Sequence, residues 1–63
     1  MRVLTFTGSD DEMEKAIEEA EVCANQLLVS IGRNELFSVT PQSFVDRFEG
    51  GHTCFHTITV VYE

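Results

Sequence analysis

Three side chains that can bind a metal ion alternate along the end of the chain. They are His52, Cys54 and His56, in the segment GGHTCFHTITVVYE. If this segment is a β-strand, the three side chains share one face, about 6–7 Å apart along the strand. Imidazole nitrogen and thiolate sulfur bind zinc, and copper accepts the same donors. These three residues are therefore a candidate metal site with zinc as the alternative cofactor, while the leading expectation is a protein without a cofactor. Glu49 or Cys23 could supply a further ligand.

The same residues allow two other interpretations. Cys54 could be a nucleophile with His52 or His56 as its base, because a thiolate needs a neighbouring group that activates it. Side chains two apart on a strand are too distant for direct proton transfer, and the sequence shows no oxyanion hole. His56 could also be a half-buried ring held by one hydrogen bond. We therefore expect no catalysis: the chain is not predicted to be an enzyme.

Length and charge limit the function classes further. The chain has 63 residues, enough for one small domain over residues 1–63, and a net charge of −7. Four basic residues against eleven acidic ones repel a phosphate backbone. We therefore expect no nucleic acid partner.

Membrane and compartment signals are few. No apolar stretch is long enough to cross a bilayer, and no segment reads as a signal peptide. The two cysteines, Cys23 and Cys54, do not form a disulfide framework. We therefore expect a cytoplasmic protein with no membrane partner.

Periodicity predicts one long helix after a first strand. The strand MRVLTFT ends at Gly8. Ser9 and Glu12 have the spacing of a capping box, and the helix is predicted from Asp10 to Ile31. Its apolar stripe recurs at steps of three and four. The stripe consists of Met13, Ile17, Ala20, Ala24, Leu27 and Ile31.

Two further strands follow the helix. The segment NELFSVT predicts the second strand, which Pro41 is expected to break or bulge, so that PQSFVDRFEGG is either a loop or a continued strand. Because proline cannot donate to a ladder, Pro41 also places this strand at a sheet edge. Gly50 and Gly51 predict a hairpin, and His52 to Tyr62 is the third strand. This strand is the richest in β-branched residues and has no proline, so we place it in the centre. The prediction is an α+β fold, β-α-β-β, with a three-stranded mixed sheet of order 1-3-2 and one helix on one face.

The predicted helix can pack on only one of the two faces of this sheet. A turn at Gly50-Gly51 places Val39 opposite Tyr62 and Val45 opposite His56. The helix covers one face, and the chain has no second helix for the other. An uncovered apolar face usually marks an interface, so we expect a homo-oligomer. The predicted interface consists of Val3, Thr5, Phe55, Thr57, Thr59 and Val61.

The order and length of these elements resemble those of the dodecins, small flavin-binding proteins that assemble into hollow dodecamers. The resemblance covers nearly the whole chain and implies a βαββ fold and a tendency to assemble. Dodecins hold flavin with a tryptophan near the start of the second strand and a glutamine on the third. This chain has no tryptophan, and NELFSV offers only Leu36 and Phe37 as bulky residues. The third strand carries no glutamine, so the resemblance implies no flavin site.

These observations predict a small, acidic, self-associating module that binds a partner or has a structural role. The alternative is a protein that binds a metal or small ligand at the face of His52, Cys54 and His56. The sequence does not specify a small-molecule ligand.

Overall fold

The computed structural model of the protein describes residues 1–63. In chain order its elements are β1 (Arg2–Asp10), α1 (Met13–Leu28), a 3-10 turn (Arg33–Glu35), β2 (Leu36–Phe48) and β3 (Gly51–Tyr62). The strand–helix–strand–strand order and the α+β class are confirmed. No helix in the structure has both the length and the apolar character needed to cross a membrane.

The three strands form one sheet in the order β1-β3-β2, as predicted. Both ladders, β1 with β3 and β2 with β3, are antiparallel. The description of the sheet as mixed is therefore corrected. The strands β1 and β2 run in the same direction, but β3 lies between them and leaves no parallel pair.

The helix is shorter than the sequence predicts. Asp10 is the last residue of β1 and pairs with Cys54, so α1 begins only at Met13. The predicted capping box is wrong, since Glu12 is the N-cap and has no side-chain cap. Instead, the Glu12 N–H donates to Asp10 Oδ1 over 3.1 Å, which turns the chain from strand into helix.

Alanines form the buried face of α1. Ala16, Ala20 and Ala24 are fully buried. Ala20 and Ala24 belong to the predicted stripe, whereas Ala16 does not. The other predicted stripe residues are only partly buried and line the edges of this contact. Small side chains let the helix axis lie close to the sheet, where Ala20 and Ala24 meet Ile58, Val60 and Tyr62 of β3.

Gly8 of β1 lies directly against the backbone of the helix. A Cβ atom built there would lie 2.0 Å from the Ala16 carbonyl oxygen and 2.8 Å from the Ala20 nitrogen. Both are backbone atoms of α1, so no side-chain rotation could relieve the clash. Glycine at this position is thus a steric requirement of the helix–sheet contact.

The hairpin turn lies one residue earlier than predicted. The loop is Glu49-Gly50, with Gly50 at φ 93°, and Phe48 pairs with Gly51. Val39 consequently faces Val60, and Val45 faces Cys54. The predicted pairing of Val39 with Tyr62 and of Val45 with His56 is therefore wrong. The slip amounts to two residues, an even number, so Val39 and Val45 keep their predicted face of the sheet. The irregularity between Leu36 and Ser38 interrupts the alternation before them.

Strand β2 is an edge strand, as predicted. The expected break or bulge at Pro41 is wrong, because the ladder continues through Pro41, which pairs with Ile58. The irregularity in its ladder lies between Leu36 and Ser38. No residue of β2 is buried. The reason is the position of α1, which packs against β1 and β3 and hardly touches β2.

Candidate functional site

The side chains of His52, Cys54 and His56 lie on the face of β3 that is turned toward the helix. Cys54 and His56 are buried, at 5% and 7% exposure, and belong to the same alternating row as Ile58. His52 lies nearer the hairpin and is exposed. The shared face is the one that the alternation predicts, and the covering helix determines how deeply each residue is buried.

One backbone carbonyl accepts hydrogen bonds from two of the three. His52 Nε2 lies 3.0 Å from the Asp11 carbonyl oxygen, and Cys54 Sγ donates to the same oxygen over 3.5 Å. Asp11 lies in the short connection between β1 and α1. The two side chains therefore attach this connection to the central strand, which fixes where the helix begins.

His56 has a different partner, Ser43 of β2. The Ser43 Oγ and His56 Nδ1 atoms are 2.6 Å apart, and the two residues are directly opposed in the ladder. On its other side His56 is opposed by Gly8 of β1. The prediction of a half-buried His56 ring held by one hydrogen bond agrees with the bond, and the ring is buried more deeply than predicted. The residue opposite His56 on β2 is Ser43 and not Val45.

The geometry does not assemble the predicted metal ligands into a cluster. No group of three or more His, Cys, Asp or Glu side chains in the structure is placed to hold a metal ion. Opposite His52 lies Arg47, and Glu49 is in the hairpin loop. Cys23 is exposed on α1, and neither cysteine forms a disulfide. Zinc binding at His52, Cys54 and His56 therefore stays a prediction from the sequence.

The arrangement around Cys54 also bears on nucleophilic chemistry. The thiol is buried and donates to a carbonyl oxygen. A reactive cysteine needs access to solvent and a group that stabilises its thiolate, and a carbonyl oxygen does the opposite. His52 is bonded to that same oxygen, so it does not accept the thiol proton.

A groove opens at the hairpin end of the molecule, on the helix side of β2 and β3. Its volume is about 510 Å³, and it is lined by Val45, Arg47, Phe48, Gly51, His52 and Cys54. Arg47 and His52 face each other across the ladder, and Val45 faces Cys54. The groove thus has two nitrogen-bearing side chains toward its outer end and an apolar surface further in.

The opposite face of the sheet carries the predicted interface residues. Thr5 and Thr59 are cross-strand partners whose Oγ1 atoms lie 3.2 Å apart. Phe44 and Phe55 stack with ring centroids 5.0 Å apart. No element of the chain covers this surface, which we call the open face. Its members are Val3, Thr5, Thr7, Ser9, Ser38, Thr40, Gln42, Phe44, Asp46, Thr53, Phe55, Thr57, Thr59 and Val61.

The sequence interpretation overlooked Ser43 and Arg47. Neither residue is part of a recognisable motif, and both depend on the ladder register for their neighbours. The correct hairpin turn would have placed Ser43 opposite His56 and Arg47 opposite His52. The loop sequence could have indicated this register, because the turn position after Glu49 has a positive φ, which glycine at position 50 adopts readily.

The fold and these surfaces define a small βαββ α+β domain with one uncovered sheet face. No family model matches the chain, and no curated protein or solved structure does. The resemblance to dodecins therefore rests on topology and length and stays a prediction.

Proposed function

We propose that this protein is a self-associating binding or structural module, in which copies of the chain meet through the open face. The observation that supports this proposal best is the lack of cover on β2 and on the whole open face. Val3 and Phe44 are exposed there, and all of β2 is exposed. Exposed apolar surface of this extent is typical of an interface.

The dimensions of the chain support the same proposal. A compact chain of this length has a radius of gyration of about 11 Å, whereas this chain has 13.3 Å and extents of 46 × 17 × 11 Å. A compact monomer of this mass exposes about 4,100 Å², and this chain exposes 4589 Å². The excess of about 500 Å² is more than half of the roughly 800 Å² that each partner buries in a standard interface.

The distribution of charge favours a second copy as the partner. A chain with net charge −7 repels itself unless the contact surface is neutral. Seven of the eleven acidic residues lie between Asp10 and Glu21, in α1 and the segment leading into it. The open face consists of apolar side chains and neutral polar ones, with Asp46 at its hairpin end. Two open faces can therefore meet while the acidic helices point away from each other.

The test is the mass of the particle in solution, measured by size-exclusion chromatography with light scattering. We expect a multiple of 7.1 kDa. A Val3→Asp variant places a charge on the open face at a residue that is 58% exposed, so folding tolerates it and association weakens. The matched control is Val22→Asp, because Val22 is 54% exposed on the outer side of α1. A wild-type particle of one chain, or equal effects of both variants, would contradict the proposal.

Three accompanying expectations belong to this proposal. The module has no catalytic activity of its own; this expectation is supported by Cys54, whose thiol is buried and donates to a carbonyl oxygen. It is located in the cytoplasm, which the two free thiols support. Its likeness to dodecins extends to the fold and the tendency to assemble, without flavin binding by matching residues.

A further inference from the structure

The groove at the hairpin end lies on the other side of the sheet from the open face. Its lining residues Val45 and Cys54 point to the helix side, as does Arg47. Association through the open face therefore leaves the groove accessible. Ligand binding in the groove is therefore independent of the oligomeric state.

Arg47 is a free cation in an acidic molecule. The ion pair in the structure joins Lys15 to Glu12, at 3.6 Å, and Arg47 takes part in none. It is also the basic residue of the β2–β3 hairpin, since Arg2, Lys15 and Arg33 lie elsewhere. The guanidinium presents several N–H donors in a planar fork that matches a carboxylate or a phosphate. An anion in the groove would supply the partner that the chain does not.

His52 adds a second polar group opposite Arg47. Its Nε2 atom is used by the Asp11 carbonyl, and Nδ1 forms no hydrogen bond within the chain. The hydrogen bond at Nε2 fixes the orientation of the ring, so Nδ1 has a defined position at the groove. A fixed polar group beside a free cation is the arrangement expected where a ligand is oriented.

The rest of the groove is apolar. Val45 and Phe48 are exposed, at the wall of a space of about 510 Å³. The Phe48 ring lies next to Gly51, where an added Cβ would make ordinary contact with it at 3.5 Å. Ligand sites typically enclose about 300–1,000 Å³ and combine an apolar lining with a few polar groups. The size and lining both fall within that description.

We propose that this groove binds a small organic anion. A carboxylate or phosphate group of the ligand pairs with the Arg47 guanidinium, and its aromatic or aliphatic part packs against Val45 and Phe48. Both kinds of head group carry the same chemistry, a planar or tetrahedral anion with two oxygens for the guanidinium fork.

The experiment titrates the assembled wild-type protein with phenyl phosphate and, separately, with inorganic phosphate, by phosphorus NMR. We expect saturable binding of phenyl phosphate with a dissociation constant of about 1–10 mM, and inorganic phosphate weaker by at least about tenfold. Benzoate, followed by proton NMR, tests whether a carboxylate is accepted as well. Arg47→Gln is expected to weaken phenyl phosphate about tenfold, which corresponds to about 1.4 kcal/mol.

The control is Arg33→Gln, which makes the same change in net charge in the 3-10 turn, outside the hairpin. It is expected to leave the affinity unchanged, whereas Arg47→Lys is expected to keep part of it. Saturable binding that depends on Arg47 and not on Arg33 supports the proposal. The proposal is overturned by an absence of saturable binding, by equal losses in both glutamine variants, or by inorganic phosphate binding as tightly as phenyl phosphate.

Discussion

Replacing Gly8 with alanine tests the central helix–sheet contact. The added Cβ would lie 2.0 Å from the Ala16 carbonyl oxygen, 3.0 Å from its carbon and 2.8 Å from the Ala20 nitrogen. Because these atoms belong to the helix backbone, the whole of α1 must move away from β1. That movement separates Ala20 and Ala24 from the core residues they touch.

The expected loss is large for a chain of this size. Overpacking of a core costs typically about 1–3 kcal/mol, and a clash with backbone belongs at the upper end. A domain of this length has a total stability of about 3–9 kcal/mol. We therefore expect Gly8→Ala to remove a third or more of the free energy of unfolding. In a small domain about 3 kcal/mol lowers the melting temperature by about 12 °C or more.

The sign of the change in stability distinguishes a clash in the folded protein from an effect on the unfolded chain. Gly8 does not have a positive φ. Without a clash, alanine would stabilise the protein by about 0.4–1 kcal/mol, because it reduces the freedom of the unfolded chain.

Gly51→Ala is the matched control. An added Cβ at Gly51 would make ordinary contact with the Phe48 ring at 3.5 Å. Urea unfolding followed by circular dichroism, at several protein concentrations, measures both variants. A Gly8→Ala variant as stable as Gly51→Ala would refute the reasoning.

Two further outcomes concern the buried face of β3. Ser43→Ala removes the partner of the buried His56 ring and is expected to lower the free energy of unfolding by about 1–2 kcal/mol, measured in urea. The control is Ser38→Ala, on the same strand without a side-chain hydrogen bond, which should change the stability very little. Equal losses in the two variants would refute a role for the hydrogen bond. Zinc is expected to leave the melting temperature unchanged, because no three candidate ligands in the structure are placed to hold one metal ion. A rise in melting temperature that His56→Gln abolishes would instead establish the predicted metal site.

Much of the fold could be predicted from local pattern. Alternation identified β1 and β3, and the helical period identified α1. Pro41 placed β2 at an edge. These signals are reliable because they depend on the geometry of single elements and on the need to bury apolar side chains. Element boundaries were less certain: the helix was predicted to begin at Asp10, but Asp10 pairs with Cys54 as the last residue of β1.

The neighbours of each site residue were harder to predict. Two adjacent glycines allow more than one turn, and moving the turn by one residue moves every cross-strand pair. His56 thereby gained Ser43 as its partner, and Arg47 came to face His52. Outside the irregularity between Leu36 and Ser38, the side chains in this ladder still lie on their predicted side of the sheet, because a slip of two residues preserves the alternation of a strand.

By itself, the sequence determined the order of the elements, the central place of β3 and, outside the irregularity between Leu36 and Ser38, the side of the sheet on which the strand side chains lie. These properties follow from period, propensity and charge along the chain. Only the tertiary structure decided that His52 and Cys54 bind the Asp11 carbonyl, that Gly8 touches the helix backbone and that α1 leaves β2 uncovered. Such contacts join residues far apart in sequence, and their distances depend on how closely the helix packs and on which pairs form across the hairpin.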